Sequence, residues 1–397
     1  MNATTTFTNV RIWDGVTDNY LPDADAVQVV DGKITAVGAG RTMGASGTTR
    51  DAAGLTVIPG LIDGHVHLSI DPEIRNPNDQ PSGEVVHIAM RARVEKMIRA
   101  GLTTARDLGG GEWIELAVRD EIRRGETLGP RLVCSGQPIT SPGGHCHFWG
   151  GEAEGKAQAL EVLARQAEKG VDLIKVMATG GNLTPGSTPA DAQFDQEVMD
   201  AIVKEANARG YHVAAHCHGT TGIRHAAFAG VRTIEHCSWV GKTSGWGAEY
   251  DPEVAEHIGA NGIFVSPTIN TGWKRFVGSA EREARYGENF DRMRALGIRL
   301  IASTDAGIPG VFHHDLPNAL PLLSHFAHLS PVEALRAATS SNAEAIGVGD
   351  VTGRIAPGLS ADLLFVEGDP LADLSALATP VEVMAQGRLV LGSLGTA

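Results

Sequence analysis

The chain has 397 residues, a formal net charge of −14, and 42% apolar and 20% charged residues, the fractions of an ordinary globular protein long enough for one large domain and a small one. The acidic balance argues against a nucleic-acid partner, no run is apolar and long enough to span a bilayer, and the opening MNATTTFTNVRIWDG lacks the basic-then-apolar pattern of a secretory signal. Cys134, Cys146, Cys217 and Cys237 form no C-x-x-C pair and no disulfide framework, so they read as reduced packing residues in a cytoplasmic protein.

Residues 1–56 alternate apolar and polar residues in short runs, with Asp-Gly at 14–15 and 31–32 as hairpin signals and no helical periodicity. Such a segment is too small to bury a core alone. From residue 57 strand-like runs alternate with amphipathic helical stretches. The first strand, VIPGLIDGHVHL, ends on His65 and His67, which share a face because strand side chains alternate. A helix follows, with Ser82 as its N-cap and Gly101 at its end. Further helices are expected near 112–124, 154–169, 195–209, 220–229 and 251–260, with a Gly/Pro/His-rich insertion, QPITSPGGHCHFWGGEAEG, after the third strand. A charged, irregular stretch runs from about 271 to 297. Helices at 316–328 and 331–345 close the region, the last opening on a capping box of Ser330 and Glu333 with Pro331 between them.

The strands begin at about 57, 102, 131, 172, 212, 231, 263 and 298. Eight strand–helix units over 57–345 predict an α/β fold, a (β/α)8 TIM barrel, and the continuous apolar runs suit strands covered on both sides. Residues 346–397 return to short strands and Gly/Pro/Asp turns. Neither terminal segment suffices alone, so 1–56 and 346–397 are expected to pair into a small β-sandwich domain built from both chain termini.

In a (β/α)8 barrel, side chains at the C-terminal strand ends converge on one site. Those ends carry His65 and His67 on the first strand, Lys175 on the fourth, His216 and His218 on the fifth, His236 on the sixth and Asp305 on the eighth. Neutral imidazoles and carboxylates suit borderline divalent cations. This order, together with PGLIDGHVH, STDAG and the closing G-x-I-x-x-G-x-x-ADL, resembles the amidohydrolase superfamily over essentially the whole chain, and within it the branch of imidazolonepropionases and Xaa-Pro dipeptidases.

The resemblance implies two divalent metal ions, zinc by preference with manganese and cobalt as rivals, 3.5–4 Å apart as such pairs usually are. It implies that His65 and His67 hold the more buried ion, His216 and His236 the other, and that Asp305 ligates and carries the proton. It further implies that Lys175 bears a CO2-derived carbamate bridging the ions; the other reading is a neutral or salt-bridged lysine. His145, in the insertion, either polarises the substrate carbonyl or only packs; His147, Phe148 and Trp149 line a pocket or anchor the loop. His218 is a substrate contact or a hydrogen-bond partner behind a ligand. His313 and His314 read as solvated, Arg106 and Asp107 as a structural ion pair, and His87, His225, His257, His325 and His328 as surface or packing residues.

The expected function is hydrolysis of an amide C–N bond in a small substrate, an N-acyl amino acid, dipeptide or related amide, by attack of a metal-bridging hydroxide. The alternatives are cyclic-amide (imidazolonepropionase-like) or carbamate hydrolysis, and a catalytically dead barrel kept as a binding protein. The last is disfavoured because every ligand position is filled. A small-molecule amide is the expected partner, with no nucleic acid, no membrane and a homo-oligomeric state.

Overall fold

The computed structural model describes residues 4–44, 47–76 and 79–392. The N-terminal strands are β1 (Thr4–Thr8), β2 (Arg11–Ile12), β3 (Ala26–Val30), β4 (Lys33–Gly38), β5 (Thr48–Asp51) and β6 (Thr56–Pro59). One sheet has the order β4-β3-β1-β5. Asp31 and Gly32 turn its hairpin with φ of 47° and 79°, the positive values that a two-residue turn between twisted strands requires. The Asp14–Gly15 pair makes no hairpin. Its carboxylate instead accepts the N–H groups of Val16 and Thr17, both at 2.8 Å, and β2 runs parallel to β6.

The next strands lie in two parallel sheets. One holds β7 (Leu61–Val66), β8 (Leu102–Asp107) and β9 (Arg131–Cys134); the other holds β10 (Ile174–Met177), β11 (Val213–Gly219), β12 (Thr233–Val240) and β13 (Phe264–Ser266). Helices α1 (Glu84–Arg99), α2 (Ile114–Arg124), α3 (Gly155–Lys169), α4 (Gln196–Ala208), α5 (Thr220–Ala229) and α6 (Pro252–Ala260) alternate with them. In α1 the buried Val86, Met90, Val94 and Met97 recur every three or four residues, the stripe of a helix lying on a sheet.

The sheets are linked by short bridges. Ile139 donates to the Lys175 carbonyl at 2.9 Å, and Met177 donates to that of Ile139 at 2.8 Å. The eighth predicted strand is an extended segment with isolated bridges. Ile301 donates to Val265 of β13 at 2.9 Å, while Gly64 of β7 donates to Ala302 at 3.0 Å and Asp305 to His65 at 2.9 Å. Buried polar side chains reinforce this seam. Asp63 accepts from the N–H and hydroxyl of Thr304 at 3.1 and 2.6 Å, and Asn342 donates to the Ile62 and Ala302 carbonyls, both at 2.7 Å.

Three local expectations change. Gly83, not Ser82, precedes α1, and no side chain caps it. The charged stretch 271–297 holds a 3-10 turn, Thr271–Phe276, and then α7 (Ala280–Ala295). Its apolar face is thin, so periodicity understates it, but Glu281–Arg285 at 2.8 Å and Glu288–Arg292 at 3.6 Å are helix-supporting i,i+4 pairs. After α8 (Leu316–Phe326), the expected last helix is two, α9 (Pro331–Ala337) and α10 (Ser340–Ala345); the Ser330–Glu333 capping box opens the first.

The C-terminal strands β14 (Leu363–Val366), β15 (Pro380–Ala385) and β16 (Arg388–Leu391) join β6 and β2 of the N-terminal segment in a second sheet, in the order β16-β15-β14-β6-β2. Phe7, Ile12, Val27 and Val57 form one buried cluster with Leu363 and Phe365, and the Phe7 and Phe365 rings lie 4.7 Å apart. Burying such side chains stabilises by about 1.5–3 kcal/mol each, which neither short segment could accumulate alone. Among the described residues no helix is long and apolar enough to cross a membrane.

Candidate active site

His65 and His67 stand at the end of β7, both buried. His65 directs Nδ1 at the Glu235 carboxylate, 3.0 Å away, and His67 donates Nδ1–H to the Gly109 carbonyl at 3.0 Å. These bonds fix the tautomers and turn both Nε2 lone pairs inward. The two Nε2 atoms face each other at 3.2 Å, and Asp305 Oδ1 lies 3.3 and 3.4 Å from them. Two lone pairs and a carboxylate oxygen so close repel one another unless a cation or proton lies among them. Ligand bonds of about 2.0–2.1 Å put neighbouring tetrahedral donors roughly 3.3–3.4 Å apart, so the spacing fits a divalent metal ion.

A second group gathers on β11 and β12. Donor atoms of His216, His218 and His236 lie within 4.8 Å of one another, as do those of His65, His236 and Asp305. His236 therefore joins the two groups. His216 donates Nε2–H to the Gly180 carbonyl at 3.0 Å; His218 and His236 direct Nδ1 at Ser238 Oγ (2.9 Å) and Thr268 Oγ1 (2.7 Å). The ring of His145, carried in by the insertion, lies 4.5 Å from that of His216, and its buried Nδ1 has no hydrogen-bond partner. Trp149 of the same insertion packs on His67 at 5.1 Å.

Backbone strain aims two of the donors. His236 and Asp305 have φ of 67° and 58°, the left-handed region that non-glycine residues rarely enter. On a regular strand Glu235 and His236 would point to opposite faces. The left-handed turn at His236 brings both toward His65.

Burial holds the imidazoles neutral, the state that binds metal. His67, His145 and His218 fall to about 3, and His65, His216 and His236 lie well below the usual range. Lys175 is 1% exposed, and its side chain makes no hydrogen bond or ion pair with a described residue. Burial draws it below the ordinary lysine range and pushes Asp305 above the ordinary carboxylate range.

All the predicted site residues, His65, His67, His145, Lys175, His216, His218, His236 and Asp305, line one cavity of about 1040 Å³. Two assignments are corrected. Arg106 pairs with Glu235 at 2.8 Å, not with Asp107, whose oxygens accept the N–H groups of Leu68 and Gly109. His313 is buried rather than solvated, and its Nε2 lies 2.9 Å from the His67 carbonyl. Glu235, Thr268 and Ser238 were not foreseen. Glu235 carried a signal, an acid inside the apolar strand TIEH, where only a partnered charge survives.

The Amidohydrolase family model matches residues 56–390. The ochratoxinase of Aspergillus niger is 28% identical over 389 residues, 85% of this chain and 76% of its own. An imidazolonepropionase of Salinispora arenicola is 24% identical over 371 residues, 86% of this chain and 85% of its own. The crystal structure of a Xaa-Pro dipeptidase with methionine bound in its active site is 26% identical, with a TM-score of 0.86 covering 98% of this chain and 100% of that one. The chain belongs to the amidohydrolase family and is a hydrolase acting on C–N bonds.

Proposed function

We propose that the protein is a binuclear metal-dependent hydrolase of small amides: N-acyl amino acids, dipeptides or related compounds. The observation that carries this reading is the convergence of His65, His67, His236 and Asp305 with His216 and His218 on one cavity that also holds the buried Lys175. The two parallel sheets and the segment from 298 are read as a (β/α)8 barrel over 57–345, with the terminal sheets of 1–56 and 346–397 as a β-sandwich beside it. A dipeptidase among the structural relatives supports an amide substrate.

His65, His67, His216, His236 and Asp305 would hold two divalent ions, zinc by preference, with His218 beside them. When bound, the ions polarise the substrate carbonyl and make water nucleophilic at neutral pH. A carbamate on Lys175 would place an anion where an ammonium beside dications is unfavourable. Asp305 takes the proton of the attacking water and returns it to the leaving nitrogen. His145, neutral and lining the cavity, would donate a ring N–H to the carbonyl oxygen as charge develops there. His218, held by Ser238, stands beside His236 at a ring separation of 4.4 Å and orients substrate or ligand.

The test is a screen of metal-replete protein against N-acyl amino acids, dipeptides and cyclic amides, with elemental analysis before and after chelation. Amide turnover that falls with removal of two ions per chain is expected. Full activity with one ion and turnover of cyclic amides alone would replace this reading by the imidazolonepropionase-like one.

A further inference from the structure

The cavity holding the donors extends past the loop after β13 to α7, and its outer wall differs in chemistry from its floor. Trp246, Trp273 and Phe276 line it, and so do Arg275 and Arg282. Both guanidiniums lie over the Phe276 ring, 4.5 and 4.4 Å from its centroid. On a chain of net charge −14, an arginine usually finds a carboxylate: Arg224 holds Asp251 at 2.8 Å and Glu253 at 2.6 Å. Arg275 and Arg282 pair with no carboxylate among the described residues. The acids of the cavity do not serve them, since Glu281 is tied to Arg285 at 2.8 Å and Asp305 belongs to the donor cluster.

We propose that Arg275 and Arg282 form a subsite for an ionised carboxylate on the substrate, beside an aromatic wall that takes a ring. The preferred substrates are then N-acyl amino acids with a free carboxylate and a bulky aromatic group. This rests on the amide-hydrolase reading and narrows its substrate class. The planar fork of a guanidinium matches a carboxylate bidentately, and stacking on Phe276 pre-orders it, so little side-chain freedom is lost on binding. Trp246 and Trp273 give a flat ring a partner of its own kind. A cavity of about 1040 Å³ also exceeds what the reacting atoms of a two-residue substrate need.

The experiment compares N-benzoyl-phenylalanine with its terminal carboxamide, equal in shape and different in charge. Release of benzoate gives kcat and KM, and tryptophan fluorescence gives binding separately. The expected result is a preference of about tenfold to a hundredfold in kcat/KM for the acid, the range for hydrogen bonds to charged groups. It should lie mostly in KM and shrink with added salt. In the Arg275→Gln/Arg282→Gln double variant the preference should vanish while turnover of the carboxamide is kept; Arg275→Lys/Arg282→Lys should retain part of it, having charge without the fork. Equal turnover or binding of acid and carboxamide by the wild-type chain overturns the subsite, as does an equal loss for both in the Gln variant. Selective binding of the acid, lost in that variant but without hydrolysis, would sustain the subsite and count against the amide-hydrolase reading instead.

Discussion

The two donor groups that meet at His236 are supported in different ways. On one side, His65 leans on Glu235, which is itself clamped by Arg106 at 2.8 Å and by the Thr233 hydroxyl at 2.5 Å, all of them buried. On the other, His216, His218 and His236 rest on a carbonyl and two hydroxyls, all neutral. A buried charged support raises the basicity of the ring it holds and is costly to break; a neutral one orients the ring and is cheap to lose. The site thus joins a rigid, electrostatically locked half to a softer one, and substitutions in each half test the contrast.

The largest effect is expected at Asp305, the acid shared with His65 and His67. Asp305→Asn keeps an oxygen donor but cannot carry the proton, so turnover should fall by ~10²–10⁴-fold, with metal content, read by elemental analysis, changing far less. Near-normal turnover at full metal would move the proton to another group, His218 first.

Next comes the locked half itself. Glu235→Gln leaves the Arg106 guanidinium buried without its counter-charge, which typically costs about 3–5 kcal/mol, and should weaken metal binding by about 10–100-fold. Urea unfolding and metal titration read the two separately. Adding Arg106→Met should recover much of the stability, because removing both charges removes the penalty, but not the affinity. If the double variant is no more stable than Glu235→Gln, the pair is not what the penalty reports.

The softer half should answer weakly. Thr268→Val keeps the branched shape at a residue with φ of 52° and removes only the hydroxyl beside His236 Nδ1. A loss of about 1 kcal/mol in the same urea assay is expected, the scale of one neutral hydrogen bond. A loss as large as that of Glu235→Gln would erase the distinction between the halves.

The last test lies outside both halves and leaves the donors untouched. Glu115 is buried, its oxygens lack hydrogen-bond partners, and burial with nearby Asp107 raises it above the carboxylate range. The unfolded chain then releases that proton at a lower pH than the folded one, so stability is fully present below the ordinary glutamate value and declines as pH rises toward the elevated folded one. Glu115→Gln should flatten that part of the stability–pH curve. An unchanged slope in urea melts would assign the decline to another acid.

Local periodicity was readable directly from the residues. Continuous apolar runs alternating with amphipathic stretches marked the strand–helix units, and alternation set His65 beside His67 and His216 beside His218. The Ser330–Glu333 capping box was legible because it spans a single helical turn. The partners of those donors come from long-range packing. His65 and Glu235 are 170 residues apart, Arg106 and Glu235 129, and His313 and the His67 carbonyl 246, so no spacing rule links them. That packing also decided the left-handed turns at His236 and Asp305, where alternation fails because surrounding hydrogen bonds hold a conformation the residues would not choose alone. The two exposed arginines meet the Phe276 ring within one short stretch, residues 275–282, so that contact is local; the long-range packing adds the placement of this stretch on the wall of the cavity that holds donors far from it in sequence.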